Sequence, residues 1–251
     1  MGNISILFKR EFSSFFASPV AYVFIGIFLI LSAVFSFFIG GLYERGQADL
    51  LPFFNFHPWL YLFLVPAIAM RSWSEERKSG TIELLMTLPI SAWQAMLAKH
   101  LAAWAVLGLS LVLTFPLWLT VNYLGSPDNG IIVAAYIGSW LMSGAFLSIG
   151  LCMSALTKNQ VVAFILSVVV CFLFVVSGSN IVLDAFKSWA PSVLIDTVAS
   201  FSFLTHFEAM AKGARMGGAK IFENTAVERL IVENGKVQGV KLTDGEIRAK
   251  R

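Results

Sequence analysis

The sequence predicts an all-α polytopic membrane protein. Five transmembrane helices follow an N-terminal interfacial helix, with short extracellular helices and an antiparallel β-meander behind them. Three observations predict it. Of 251 residues, 57% are hydrophobic and 13% are charged, roughly half the charged share of a soluble domain. Five stretches approach the roughly 20 apolar residues that cross a bilayer. After residue 213 the apolar runs stop, and short alternating segments separated by turn signals replace them. Residues 1–213 carry ten Lys+Arg and ten Asp+Glu; residues 214–251 carry eight and five, so the net charge of +3 resides in the tail. The body has no basic excess of the kind that binds nucleic acid, and nucleic acid is not an expected partner.

The first element is "ISILFKREFSSFFASPV". Ile4, Leu7, Phe8, Phe12, Phe15 and Phe16 recur at helical spacing, with Lys9, Arg10, Ser13 and Ser14 opposite. Such a helix can lie in the membrane interface. Ser18 and Pro19 then read as N-cap and first residue of a new helix. Five apolar stretches follow: Pro19–Leu42, Leu50–Met70, Leu101–Leu124, Asn129–Thr157 and Asn159–Leu183. "NFHPW" interrupts the second, which places His57 and Pro58 near a water interface and Trp59 and Tyr61 in an aromatic belt. Lys9, Arg10, Arg71, Arg77, Lys78, Lys99 and Lys158 all flank one side of this arrangement, and the opposite loops hold one basic residue, Arg45. The positive-inside rule therefore puts the N-terminus in the cytoplasm. "SWAPSVLIDTVASFSFLTHFEAMAKG" holds Asp196, His206 and Glu208 and reads as short interfacial helices, because a charge in mid-span is costly. Cys152 and Cys171 lie in apolar stretches and read as packing cysteines, with neither a disulfide framework nor a metal set around them. "MGNISI" lacks the Ser or Thr of a myristoylation signal, and no cleavable signal peptide is visible.

The loop "RSWSEERKSGTIELLMTLPISAWQAMLAKH" carries the sharpest pattern. Gly80 breaks a charged run, Thr81 opens a short helix with Ile82, Leu84, Leu85 and Leu88, Pro89 ends it, and Ser91 caps the next helix. A short helix tied to two spans can receive a push from a soluble partner. A solvated loop that merely satisfies positive-inside has the same composition.

"EERKSGTIELLMTLPIS" resembles the loop between spans two and three of ABC-2 type transporter permeases, in the branch linked to gliding motility and copper-enzyme maturation. "FKREFSSFFASPVAYV" is similar to that family's interfacial helix, and "FSFLTHFEAMAKG" to its extracellular region before span six. The resemblance covers about residues 1–213. It implies a membrane permease subunit, paired with a second one as a homo- or heterodimer, in the bacterial inner membrane and in contact with lipid. It implies an ATP-driven export pathway in which a separate ABC ATPase binds ATP and Mg. It assigns ATPase coupling to Glu75, Glu76, Arg77, Lys78, Gly80, Thr81 and Glu83. Lys9, Arg10 and Glu11 come second, and Lys158, Asn159 and Gln160 form a possible further contact. The chain has no GxxxxGK[ST] phosphate loop, so it is not expected to hydrolyse ATP, and no catalytic or metal site is assigned to it.

The tail departs from this pattern. "AKIFEN", "AVERLIVEN", "KVQGVKLTD" and "EIRAKR" alternate, with Asn234–Gly235 and Asp244–Gly245 as two-residue turns. The stretch is similar to a meander of FAD-dependent amine and amino-acid oxidoreductases. The chain nevertheless has no GxGxxG, and no FAD site is expected. A sixth span is expected from the resemblance, and the tail stands in its place. Residues 214–251 thus read as foreign to the permease, as in a hybrid or truncated chain, with a non-functional hybrid of permease and flavoprotein fragments as one alternative. The competing readings are an ATP-independent transporter or channel, with His57 the one ionisable residue within the span limits, and a membrane-anchored flavoenzyme.

Overall fold

The computed structural model describes residues 3–42, 50–87, 89–125, 127–177 and 202, and the three strands of the tail. Contacts divide the chain into two units, residues 1–214 and 215–251.

The first unit is a helical bundle. Helix α1 (Asn3–Ala17) is followed at once by α2 (Val20–Val34), which continues through a π-helical turn, Phe35–Ile39. The Ser18 hydroxyl donates back to the Phe15 carbonyl, and α2 starts on Pro19 with no side-chain cap. Ser18 therefore closes α1 instead of opening α2. Next come α3 (Leu51–Asn55), α4 (His57–Ala69), α5 (Arg71–Ser79) and α6 (Thr81–Thr87). Helix α7 (Ala92–Val112) opens on a complete capping box, Ser91 with Gln94. A turn at Leu113–Thr114, just before Pro116, separates α7 from α8 (Phe115–Leu124). Asp128 caps α9 (Asn129–Leu156) and Asn159 caps α10 (Gln160–Val176), each accepting two backbone N–H bonds.

Among the described residues, three helices are long and apolar enough to cross a membrane: Val20–Ile39, Ala92–Leu124 and Asn129–Leu156. The described helices fall short of the five-span expectation at two places. The second stretch is split at Phe56 into α3 and the thirteen-residue α4, because Pro58 opens a new helix there. The fifth is described only as the seventeen-residue α10. The expected extracellular helices lie outside the described residues apart from Ser202.

Helix α9 is the centre of the bundle and packs against α4, α5, α7 and α10. Small residues make this possible: Ala135, Gly138, Ser139, Ser143, Gly144 and Gly150 are buried along it, and such residues let membrane helices approach closely. A Cβ at Gly150 would lie 2.5 Å from the Ala69 Cβ of α4. Trp104 of α7 and Trp140 of α9 stack at 4.1 Å, and each indole N–H donates to the other residue's carbonyl. The clasp is reciprocal. Gly108 lies under Trp140 and Gly144 under Trp104, each without room for a Cβ.

His57 does not face water. It is fully buried, ringed by Phe28, Phe53, Phe54 and Tyr61, and its Nδ1 lies 2.7 Å from the Ser139 hydroxyl. Tyr61, also placed in the belt by sequence, is buried and reaches the same hydroxyl at 2.8 Å. Only Trp59 keeps a belt-like exposure, at 45%. The aromatic residues of α2 and α3 close over this edge of α4, so His57 Nδ1 pairs with α9 rather than with water, while its Nε2 is buried without a hydrogen-bond partner among the described residues. Cys171 is buried, but Cys152 faces outward, in contrast to its expected packing role.

The second unit is a three-stranded antiparallel sheet in the order β1 (Val227–Glu233), β2 (Lys236–Leu242), β3 (Gly245–Arg248). Register shifts interrupt the β1–β2 ladder between Val227 and Arg229 and between Ile231 and Val232; simple alternation does not foresee such bulges. Leu242 pairs with Gly245, so the two intervening residues are 243–244 rather than Asp244–Gly245. "AKIFEN" lies outside the described residues.

The Gly150 contact makes a paired prediction. Gly150→Leu should lower stability by about 1–3 kcal/mol through overpacking, whereas Gly26→Ala, with nothing within 4 Å of its added carbon, should leave unfolding unchanged. Thermal unfolding of detergent-solubilised variants checks both.

Candidate functional site

Among the described residues of the first unit, the charged side chains other than Asp128 gather where α1, α5, α6, the start of α7 and the end of α9 meet. The joint between α4 and α5 is the first element of this site. In an unbroken helix the Ser74 N–H would donate to the Met70 carbonyl. Here the Ser154 hydroxyl of α9 enters that ladder. It accepts from the Trp73 and Ser74 N–H groups, both at 3.1 Å, and donates to the Met70 carbonyl at 2.9 Å. A side chain inserted in the i→i−4 ladder bends a helix at a defined point. The Ser74 hydroxyl also donates to Met70, and Arg77 donates to the Ala155 carbonyl. Ala155 is in the last turn of α9, where carbonyls lack helical partners. Helix α5 is thus tied to the end of α9 at two successive residues.

Lys99 is the second element. The sequence places it in a loop; the structure places it within α7 and leaves it 6% exposed. Its ammonium lies 3.1 Å from Glu11 of α1 and 2.7 Å from Glu76 of α5, both carboxylates being mostly buried, and it sits 5.3 Å from the centre of the Trp73 ring. One cation therefore joins three helices. Removing one partner of such a pair strands a buried charge and costs about 3–5 kcal/mol.

The residues assigned to coupling divide into two groups. Glu76 and Arg77 turn inward to Lys99 and Ala155, and Glu11 turns inward with them. Glu75, Lys78, Gly80, Thr81 and Glu83 are exposed, as are Lys9 and Arg10. Glu75 forms an i,i+4 ion pair with Arg71. Gly80 ends α5 in the left-handed conformation, φ +76, which a glycine adopts without a Cβ penalty. The chain then reverses into α6, with the Ser79 and Thr81 hydroxyls 2.9 Å apart. Leu85 is buried and Ile82 packs against the core, while Leu84 stands 68% exposed beside Glu83. Lys158 lines one hollow together with Arg77, Lys78, Gly80, Ile82 and Glu83. Of its neighbours, Asn159 is committed to capping α10 and Gln160 is its first residue.

Ser154, Ser139 and the Lys99 counterions escape a reading of the sequence: Ser154, Ser139 and Glu11 act on partners 78 to 88 positions away, and Glu76 reaches Lys99 from a different helix. A serine within an apolar stretch is the one visible hint. What the arrangement offers is a short helix, α6, joined through α5 to α1, α7 and α9.

Residues 60–227, more than half of the chain, match the family model described as ABC-2 family transporter protein. The match runs past Gly213, the edge set by the sequence pattern. No curated protein matches the chain.

Two substitutions separate the joints of this site. Lys99→Met should destabilise by about 3–5 kcal/mol, and adding Glu76→Gln should restore part of that loss. Ser154→Ala should cost about 1–3 kcal/mol by stranding backbone N–H groups. Thermal unfolding in detergent, with the double variant as the control for additivity, gives the comparison.

Proposed function

The chain belongs to the ABC-2 family of transporter proteins, and from that premise we propose that it is the membrane-spanning permease subunit of an ATP-driven exporter. A separate ABC ATPase binds ATP and Mg, and its movement enters this chain through α6. The observation that carries the reading is the seating of α5 and α6. They present Glu75, Lys78, Thr81, Glu83 and Leu84 outward, while Ser154, Arg77 and Lys99 bind their inner side to α9, α7 and α1. A force on α6 therefore passes through the Gly80 turn to α5 and from α5 to three helices. Lys9 and Arg10 on α1, and Lys158 at the turn before α10, supply outlying contacts to the same partner.

In this reading the charged end faces the cytoplasm of a bacterium and the N-terminus lies on that side. Helices α4 and α10 complete five spans. At 1.5 Å per residue the seventeen residues of α10 extend about 26 Å, close to the hydrocarbon thickness of a thin bilayer. A second permease subunit completes the pathway.

The buried His57–Ser139–Tyr61 cluster supports a second reading, an ATP-independent transporter or channel, since ionisable residues inside a bundle often mark ion pathways. The ring of phenylalanines around His57 weighs against it.

Co-expression with an ATPase encoded beside this chain tests the primary reading. A stable complex is expected, and Glu75→Lys with Glu83→Lys should reduce permease-dependent ATPase stimulation at least tenfold while unfolding stays unchanged. A chain that forms no complex, or whose flux persists without any ATPase, would sink it.

A further inference from the structure

Two concavities adjoin at the charged end of the bundle, and they differ in character. One is an apolar groove of about 570 Å³ between the first turns of α7 and the last turns of α9, lined by Trp73, Trp93, Met96, Leu97, Leu151 and Cys152 among others. The other is the hollow of about 460 Å³ lined by Arg77, Lys78, Lys158 and Glu83. Ile82 lines both. Arg77 also donates to the carbonyl of Ala155, a groove residue, so a guanidinium stands at the mouth of the groove.

We propose that the groove and the hollow together hold one anionic phospholipid, with an acyl chain along α7 and α9 and the phosphate among Lys78, Arg77 and Lys158. The dimensions and the charges both fit. From Ala92 to His100 the groove follows α7 for about 12 Å, nearly the depth of one leaflet's hydrocarbon, roughly 15 Å. It runs inward from the charged end, which is the direction an acyl chain takes below its headgroup. Its rim carries Trp93, 65% exposed, and Met96, 50% exposed, at the level where amphipathic aromatic side chains meet headgroups. Three cations against one carboxylate complement a phosphodiester, and each basic residue near an anionic surface adds favourable interaction. A second copy of the chain seated on this face would bring its own Arg77, Lys78 and Lys158 against the same cations. The site shares Lys78 and Lys158 with the surface assigned to the ATPase, but lipid retention is read with no ATPase present, so failure of one assignment is distinguishable from failure of the other.

Cys152 supplies the reporter. It is exposed in the groove, whereas Cys171 is buried. The full-length chain in detergent micelles is titrated with dioleoyl phosphatidylglycerol or dioleoyl phosphatidylcholine. The rate of Cys152 labelling by N-ethylmaleimide is measured, and bound lipid is counted by native mass spectrometry. Phosphatidylglycerol should slow labelling at least fivefold with one lipid retained, and phosphatidylcholine should not. The Lys78→Gln, Lys158→Gln double variant should need on the order of tenfold more phosphatidylglycerol. Equal protection by both lipids overturns the proposal, as does a double variant that behaves like the parent. So does protection that follows protein concentration without lipid, which would mean a second copy, or equal protection by inorganic phosphate. If the double variant does not fold, the comparison of the two lipids on the unmodified chain decides alone.

Discussion

The Lys99 ammonium, held between the Glu11 and Glu76 carboxylates, constrains everything at the charged end of the bundle. A lysine two turns into an apolar helix is tolerated only with its charge matched, and no single neighbour supplies both partners. Helix α1 must therefore lie along α7 to deliver Glu11, and the chain after α4 must turn so that α5 delivers Glu76. The face of Trp73 covers the ammonium from the α5 side. With the inner positions taken, Glu75, Lys78 and Glu83 are left on the outside, and the distribution of charge over the surface follows from one buried cation.

The α4–α5 joint belongs to the same constraint. The Ser154 hydroxyl substitutes for a helical hydrogen bond at this joint and keeps its backbone groups paired. Further along the bundle, the Trp104–Trp140 stack over Gly108 and Gly144 fixes α7 against α9, and Ser139 fixes α4 against α9 through His57 and Tyr61. The three helices form one packed body in which polar and steric contacts at named points are set within an apolar core.

Features that depend on neighbours in sequence were legible: the apolar stretches, the Ser91 cap and the break at Gly80. Features that depend on distant partners were not. Hydropathy sees a charge at Lys99 and assigns it to water; it cannot see Glu11 from 88 positions away. It sees a histidine and a proline at 57–58 and infers an interface, although the aromatic residues of α2 and α3 bury them. Length alone joined Leu50–Met70 into one span where two prolines make separate starts. The tryptophan clasp was written in the chain as "WAVLG" and "WLMSG", the same W-x-x-x-G spacing on two helices, but the pattern acquires meaning only when both helices are known to touch. The coupling residues were legible as a group and not as individuals: the pattern could not tell that Glu76 and Arg77 face inward while Glu75 and Lys78 face outward.

The order of Glu11, Glu76 and Lys99 along the chain has a consequence for biosynthesis. Chains are made and begin to fold from the N-terminus. Both carboxylates therefore leave the ribosome before the ammonium that they neutralise. When α7 enters the bilayer, its lysine meets two waiting anions and need not linger as an uncompensated charge. The reverse order would have required an apolar segment to hold a bare cation until a later helix arrived. The topology of insertion and the electrostatics of the finished bundle are thus served by one arrangement of three residues.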